Sequence, residues 1–123
     1  MRALRAVAVG AAVAALLGAP AQADRTPQTT ETAVLIKTVN VAASEFKFVL
    51  SSKSARRGIV IFKVKNVGKL GHDFKINGRK TPIIPPGKSN TLRVTFLRKG
   101  TYPYACTVPG HAAAGMKGVF TIS

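Results

Sequence analysis

Gly100-Thr-Tyr-Pro-Tyr-Ala-Cys106-Thr-Val-Pro-Gly-His111-Ala-Ala-Ala-Gly-Met116-Lys-Gly118-Val-Phe-Thr-Ile122 closes the chain. It reads as a strand, a loop and a strand. Thr101 to Cys106 and Gly118 to Ile122 are short β-branched and aromatic runs. Pro109-Gly110 tightens the connection, and Gly115 and Gly118 allow close backbone approach. Tyr102 and Tyr104 alternate on one strand face ahead of the cysteine, placed either under the loop or in an ordinary core.

Upstream, similar short runs are punctuated by Gly, Pro and Asn. Val34 to Val41 reads as a strand. Phe46 to Leu50 sets Phe46, Phe48 and Leu50 against Lys47 and Val49. Gly58 to Val67 places Ile59, Ile61 and, after a shift, Val64 and Val67 on one face. His72 to Asn77 opposes His72, Phe74 and Ile76 to Asp73, Lys75 and Asn77. Ser89 to Phe96 alternates Leu92, Val94 and Phe96 with Arg93 and Thr95. Asn77-Gly78 and Pro86-Gly87 mark tight turns. No window supports a long amphipathic helix. About seven or eight short strands in some 90 residues predict an all-β fold, an antiparallel β-sandwich or barrel.

Cys106 is the only cysteine, and His72 and His111 are the only histidines. Singly, each residue has a plain reading: an inert buried thiol, a structural imidazole, a core methionine. The C-x4-H-x4-M spacing changes that. One thiolate, one imidazole and one thioether sit on a loop short enough to wrap a single ion, and His72 brings a second imidazole from another strand. Two imidazoles, a thiolate and a weak thioether are the ligand set of a mononuclear blue-copper electron-transfer site. Zinc favours Cys, His and carboxylate over thioether, so copper fits better.

The chain opens as an export substrate. Arg2 and Arg5 form a positive start, Ala6 to Ala19 an apolar core, and Ala21-Gln22-Ala23 a small-x-small cleavage site. Residues 1–23 are expected to be a cleavable signal peptide, 24–32 a flexible lead-in and 33–123 the domain. The product is expected to be soluble, periplasmic or extracellular. Cleavage leaves 17 Lys and Arg against 4 Asp and Glu, a net charge of about +13. That charge favours acidic partners and a weak attraction to anionic membrane surfaces. Nucleic acid is excluded as a partner by export, by evenly spread cations and by the lack of a recognised motif. A small basic carrier is most simply a monomer.

The segment from Gly100 to Gly118 resembles the C-terminal copper loop of cupredoxins of the plastocyanin/azurin type. Asn66-Val-Gly-x3-His72-Asp-Phe74 resembles their upstream ligand strand, and Pro86-Gly87 with Ser89 to Phe96 matches the preceding turn and strand. The resemblance implies an eight-stranded Greek-key sandwich and one-electron transfer without substrate chemistry. It carries the copper-ligand roles to His72, Cys106, His111 and Met116, and allows a weak fifth contact from the Gly71 carbonyl. It also implies a partly exposed His111 edge as the electron port, ringed here by Val108, Pro109, Ala112 to Ala114 and Leu70, with Lys69 and Lys117 nearby. Many members have Asn after the first histidine, where this chain has Asp73. Its expected partner is Thr107, with a surface lysine as the alternative.

Two roles share this ligand set: electron carrier, or copper carrier and storage protein. An enzyme is not expected. Two histidines cannot furnish the further His-rich centres of multicopper oxidases, and one cysteine cannot form a dinuclear thiolate-bridged centre.

Overall fold

Alternation between apolar and polar side chains decides most of the strands. A computed structural model describes residues 34–123, so the expected signal peptide and lead-in lie outside the described residues. Nine strands follow in order: β1 (Ile36–Ser44), β2 (Lys47–Leu50), β3 (Ser54–Ala55), β4 (Gly58–Asn66), β5 (Lys75–Ile76), β6 (Arg79–Lys80), β7 (Ser89–Phe96), β8 (Gly100–Ala105) and β9 (Lys117–Ile122). No helix occurs among the described residues.

β7 alternates as expected, with Leu92, Val94 and Phe96 buried. β4 does not. Val60, Phe62, Val64 and Asn66 face inward with no phase shift, Ile59 and Ile61 are half-buried on the outer face, and Val67 is exposed. The run Gly58-Ile-Val-Ile-Phe62 is apolar at nearly every position, so its periodicity is silent. The phase is set by Lys63 and Lys65, whose charges must reach water.

The strands form two sheets, ordered β2-β1-β4-β7 and β3-β9-β8-β5-β6. The sandwich is therefore mixed rather than antiparallel throughout. β1 runs parallel to β4 from Ile36↔Ile59 to Ala43↔Asn66, and β3 runs parallel to β9. After β1 the chain turns into β2, crosses to the second sheet as β3 and returns beside β1 as β4. Parallel partners need such a crossover, and side-chain alternation carries no information about a neighbour's direction. The two-residue strands β3 and β6 are too short to leave a periodic signal.

The core between the sheets is aromatic. Phe62 of the first sheet meets Phe74 at 5.1 Å and Phe120 at 5.3 Å between ring centroids, and Phe74 meets Tyr104 at 5.4 Å. Tyr104 lies opposite Gly118 in the β8–β9 register, where a Cβ would overlap its ring. Both tyrosines belong to the packing: Tyr102 lies against Phe96 and donates its hydroxyl proton to the Arg98 carbonyl at 2.7 Å.

Replacing the fully buried Phe62 with Ala is expected to lower the unfolding free energy by about 3–5 kcal/mol. Leu97→Ala, at a side chain 77% exposed, should stay within about 0.5 kcal/mol. Urea denaturation of both variants checks this; equal losses would contradict the assignment of the core.

Candidate metal centre

Three connections meet at one end of the sandwich: the β1–β2 turn, the segment from Asn66 to Phe74, and the loop from Cys106 to Met116. Asn66 organises the second of these. Its buried amide donates to the Leu70 and Ile84 carbonyls, each at 2.7 Å, and accepts the Gly68 N–H at 2.8 Å. His72 follows, held by reciprocal backbone bonds with Ile84 at 3.2 and 2.7 Å. Its side chain is fully buried.

The third connection is closed at its base. The Cys106 N–H donates to the Met116 carbonyl at 3.1 Å, one pair beyond the last β8–β9 partners, Ala105↔Lys117. The Met116 N–H donates to the His111 carbonyl at 3.1 Å, and the His111 N–H to the Val108 carbonyl at 3.0 Å. Gly110 makes the turn ahead of His111 with φ of 84°, a conformation that disfavours a side chain.

These frames bring the donor atoms together. The Nδ1 atoms of His72 and His111 lie 3.1 Å apart, and the Cys106 Sγ lies 3.5 Å from the His111 Nδ1. One donor atom from each residue falls within 4.8 Å of the others, and all three residues are buried. Met116 is fully buried too and is tied by its backbone to Cys106 and His111. Burial pushes the Cys106 thiol up from its ordinary range, outweighing the Asp73 N–H directed at the sulfur from 3.5 Å. Two imidazole nitrogens and a thiol thus converge in a buried space beside the buried Met116, and a donor set of this softness fits copper.

Asp73 behaves as expected. Its side chain is 1% exposed, and one oxygen accepts the Thr107 N–H at 2.6 Å while the other accepts the Thr107 hydroxyl at 2.5 Å. The alternative partner also appears, more weakly, with the Lys80 ammonium at 4.0 Å.

Two residues of the site escaped the sequence reading. The Glu45 carboxylate meets the His72 Nε2 at 2.8 Å and accepts the Lys69 N–H at 2.6 Å. Hydrogen bonding to His72, with help from the Lys69 amide, holds this carboxyl below the usual range. Phe46, beside it, packs edge-on to the His111 ring at 5.1 Å. His111, expected to present a partly exposed edge, is consequently buried, with 8% of its surface accessible. One signal for Glu45 did exist. In a chain with 19 Lys and Arg, Glu45 and Asp73 are the only acids after Glu31.

Comparison with known proteins agrees with this geometry. Residues 27–123 match the family described as copper binding proteins, plastocyanin/azurin family. The chain belongs to that family. It is 36% identical over 52 residues to the copper-resistant cuproprotein CopI of Pseudomonas aeruginosa, covering 42% of this chain and 29% of the relative. It is 30% identical over 79 residues to CopI of Vibrio cholerae, covering 47% of each, and 42% identical over 43 residues to auracyanin-B of Chloroflexus aurantiacus, covering 35% and 18%. The chain thus spans less than half the length of these relatives. Among solved structures, auracyanin B superposes with a TM-score of 0.63 at 22% identity, over 71% of this chain and 88% of that one. The blue copper oxidase of Nitrosomonas europaea gives 0.61 at 17%, over 72% and 39%. These establish the cupredoxin fold, and copper is the metal of the family.

Asp73→Ala strips both acceptors from Thr107 and is expected to cost about 1.5–3 kcal/mol of metal-free stability. Thermal and urea denaturation check it; an unchanged midpoint would show that the bridge is not formed in solution.

Proposed function

We propose that the chain is an exported one-electron carrier in which His72, Cys106 and His111 would hold copper, with the Met116 thioether as a weak fourth donor. The observation that carries this reading is the buried convergence of the two Nδ1 atoms and the Cys106 sulfur. A bound copper ion supplies the Cu(I)/Cu(II) couple. The residues do the rest. Cys106 gives up its proton and becomes the soft donor. The imidazoles suit either oxidation state. Asp73, Asn66 and the loop bonds fix the donors to the sandwich, so the frame moves little between states, and burial keeps water away.

The partners that fit are redox proteins with an acidic docking face, since Lys69 and Lys117 are exposed beside the site. Weak attraction to anionic membranes follows from the same charge. Export rests on the leader-like residues 1–23. Among the described residues no helix is long and apolar enough to cross a membrane. The two histidines support a carrier rather than an enzyme, and a monomer is the simplest form of such a carrier. A second reading, copper delivery or storage, draws on the two relatives named copper-resistant cuproproteins.

Titrating the protein with Cu(II) is expected to give an intense visible thiolate band. The band should saturate at one equivalent, bleach with reductant, return with oxidant and be absent in Cys106→Ser. Reversible cycling without metal loss supports the carrier; loss of copper to a chelator on each reduction supports delivery; no band sinks the electron carrier and turns the reading to copper delivery. Because burial keeps the Cys106 thiol protonated at neutral pH, loading should also release a proton, and apparent affinity should rise with pH between about 6 and 8. Uptake in a pH-stat without proton release would contradict the thiolate assignment.

A further inference from the structure

We propose that Glu45 is a positioning residue of the copper site. Its carboxylate holds His72 by the Nε2 proton, aims Nδ1 at the metal and strengthens Nδ1 as a donor, lowering the reduction potential. The inference rests on the reading of His72 as a ligand.

Glu45 and Phe46 are the two residues between the paired positions Ser44 and Lys47. A single hairpin tip therefore touches both imidazoles, Glu45 at His72 and Phe46 at His111. His72 has its Nδ1 facing the donor cluster, 3.1 Å from the His111 Nδ1, and its Nε2 facing Glu45 at 2.8 Å. With the proton on Nε2, the Nδ1 lone pair is free. The carboxylate is itself fixed, because its second oxygen accepts the Lys69 N–H at 2.6 Å. Its place is kept open by Gly68, where a Cβ would overlap the carboxylate.

The charge is also undiluted. Every Lys and Arg among the described residues is exposed, and none makes an ion pair with Glu45; its one ionic contact is His72. A carboxylate sharing the far proton of a metal-bound imidazole orients the ring and raises its basicity. Such a charge-assisted bond is roughly twice as strong as one to a neutral acceptor. The extra electron density at Nδ1 favours Cu(II) over Cu(I).

The test compares Glu45→Gln, Glu45→Ala and His72→Ala with the unaltered protein by voltammetry, visible spectroscopy and NMR. In the metal-free, unaltered protein a slowly exchanging, downfield His72 Nε2 proton is expected; its absence overturns the proposal without recourse to any variant. Glu45→Gln should raise the potential by about 59 mV for each tenfold loss of Cu(II) preference, with at least one such tenfold expected. Glu45→Ala should raise it as much or more and lose the protected proton. An unchanged potential in a folded Glu45→Gln protein would reduce Glu45 to a purely structural role and overturn the proposal. His72→Ala separates the underlying reading: copper uptake with an unaltered visible band there would show that His72 is not a ligand, whatever the Glu45 variants do.

Discussion

The two hydrogen bonds from Thr107 to Asp73 are the contact on which the site depends. β5 and β8 pair at Lys75↔Ala105, and Asp73 and Thr107 lie two pairs further along that register, beyond Phe74 and Cys106. There the Asp73 carboxylate, not a backbone carbonyl, accepts the Thr107 N–H. On its other side β8 carries one more backbone bond, from Cys106 to Met116. The cysteine is thus held between two ladders that end around it. His111 is placed by a loop tied back to Met116, and His72 by a segment that Asn66 anchors. Both ligand segments hang from a packed aromatic core, which resists small displacements.

Charge reinforces this division. Within residues 34–123 the only carboxylate side chains are Glu45 and Asp73; Glu45 is half-buried on the far side of His72 from the donor cluster, and Asp73 is buried against Thr107. The exposed cations surround the domain without side-chain carboxylates interspersed among them. The outer surface is therefore suited to long-range steering toward anionic partners, while the two acids are each bonded to the site.

The strands with a clean polar face were legible: Ser89 to Phe96 was read to the residue. The convergence of His72, Cys106 and His111 was legible because Cys106 and His111 lie on one short loop and His72 was the only remaining imidazole. Asp73 with Thr107 followed from their positions beside ligands. What stayed hidden depends on contacts between segments distant in sequence. The parallel pairing of β1 with β4 is a crossover, the inward face of β4 is masked by aliphatics on both faces, and Glu45 lies 27 residues from His72. Phe46 looked like the start of an alternating strand; in the fold it caps His111.

That the protein, not the metal, sets the geometry of the site is tested most directly by a pair of crystal structures, metal-free and copper-loaded, from one crystal form. The prediction is that the His72 and His111 Nδ1 atoms, the Cys106 sulfur and the Asp73–Thr107 bonds keep their places when copper is removed. A metal-free loop from Cys106 to Met116 that swings outward, or an Asp73 that releases Thr107, would contradict it.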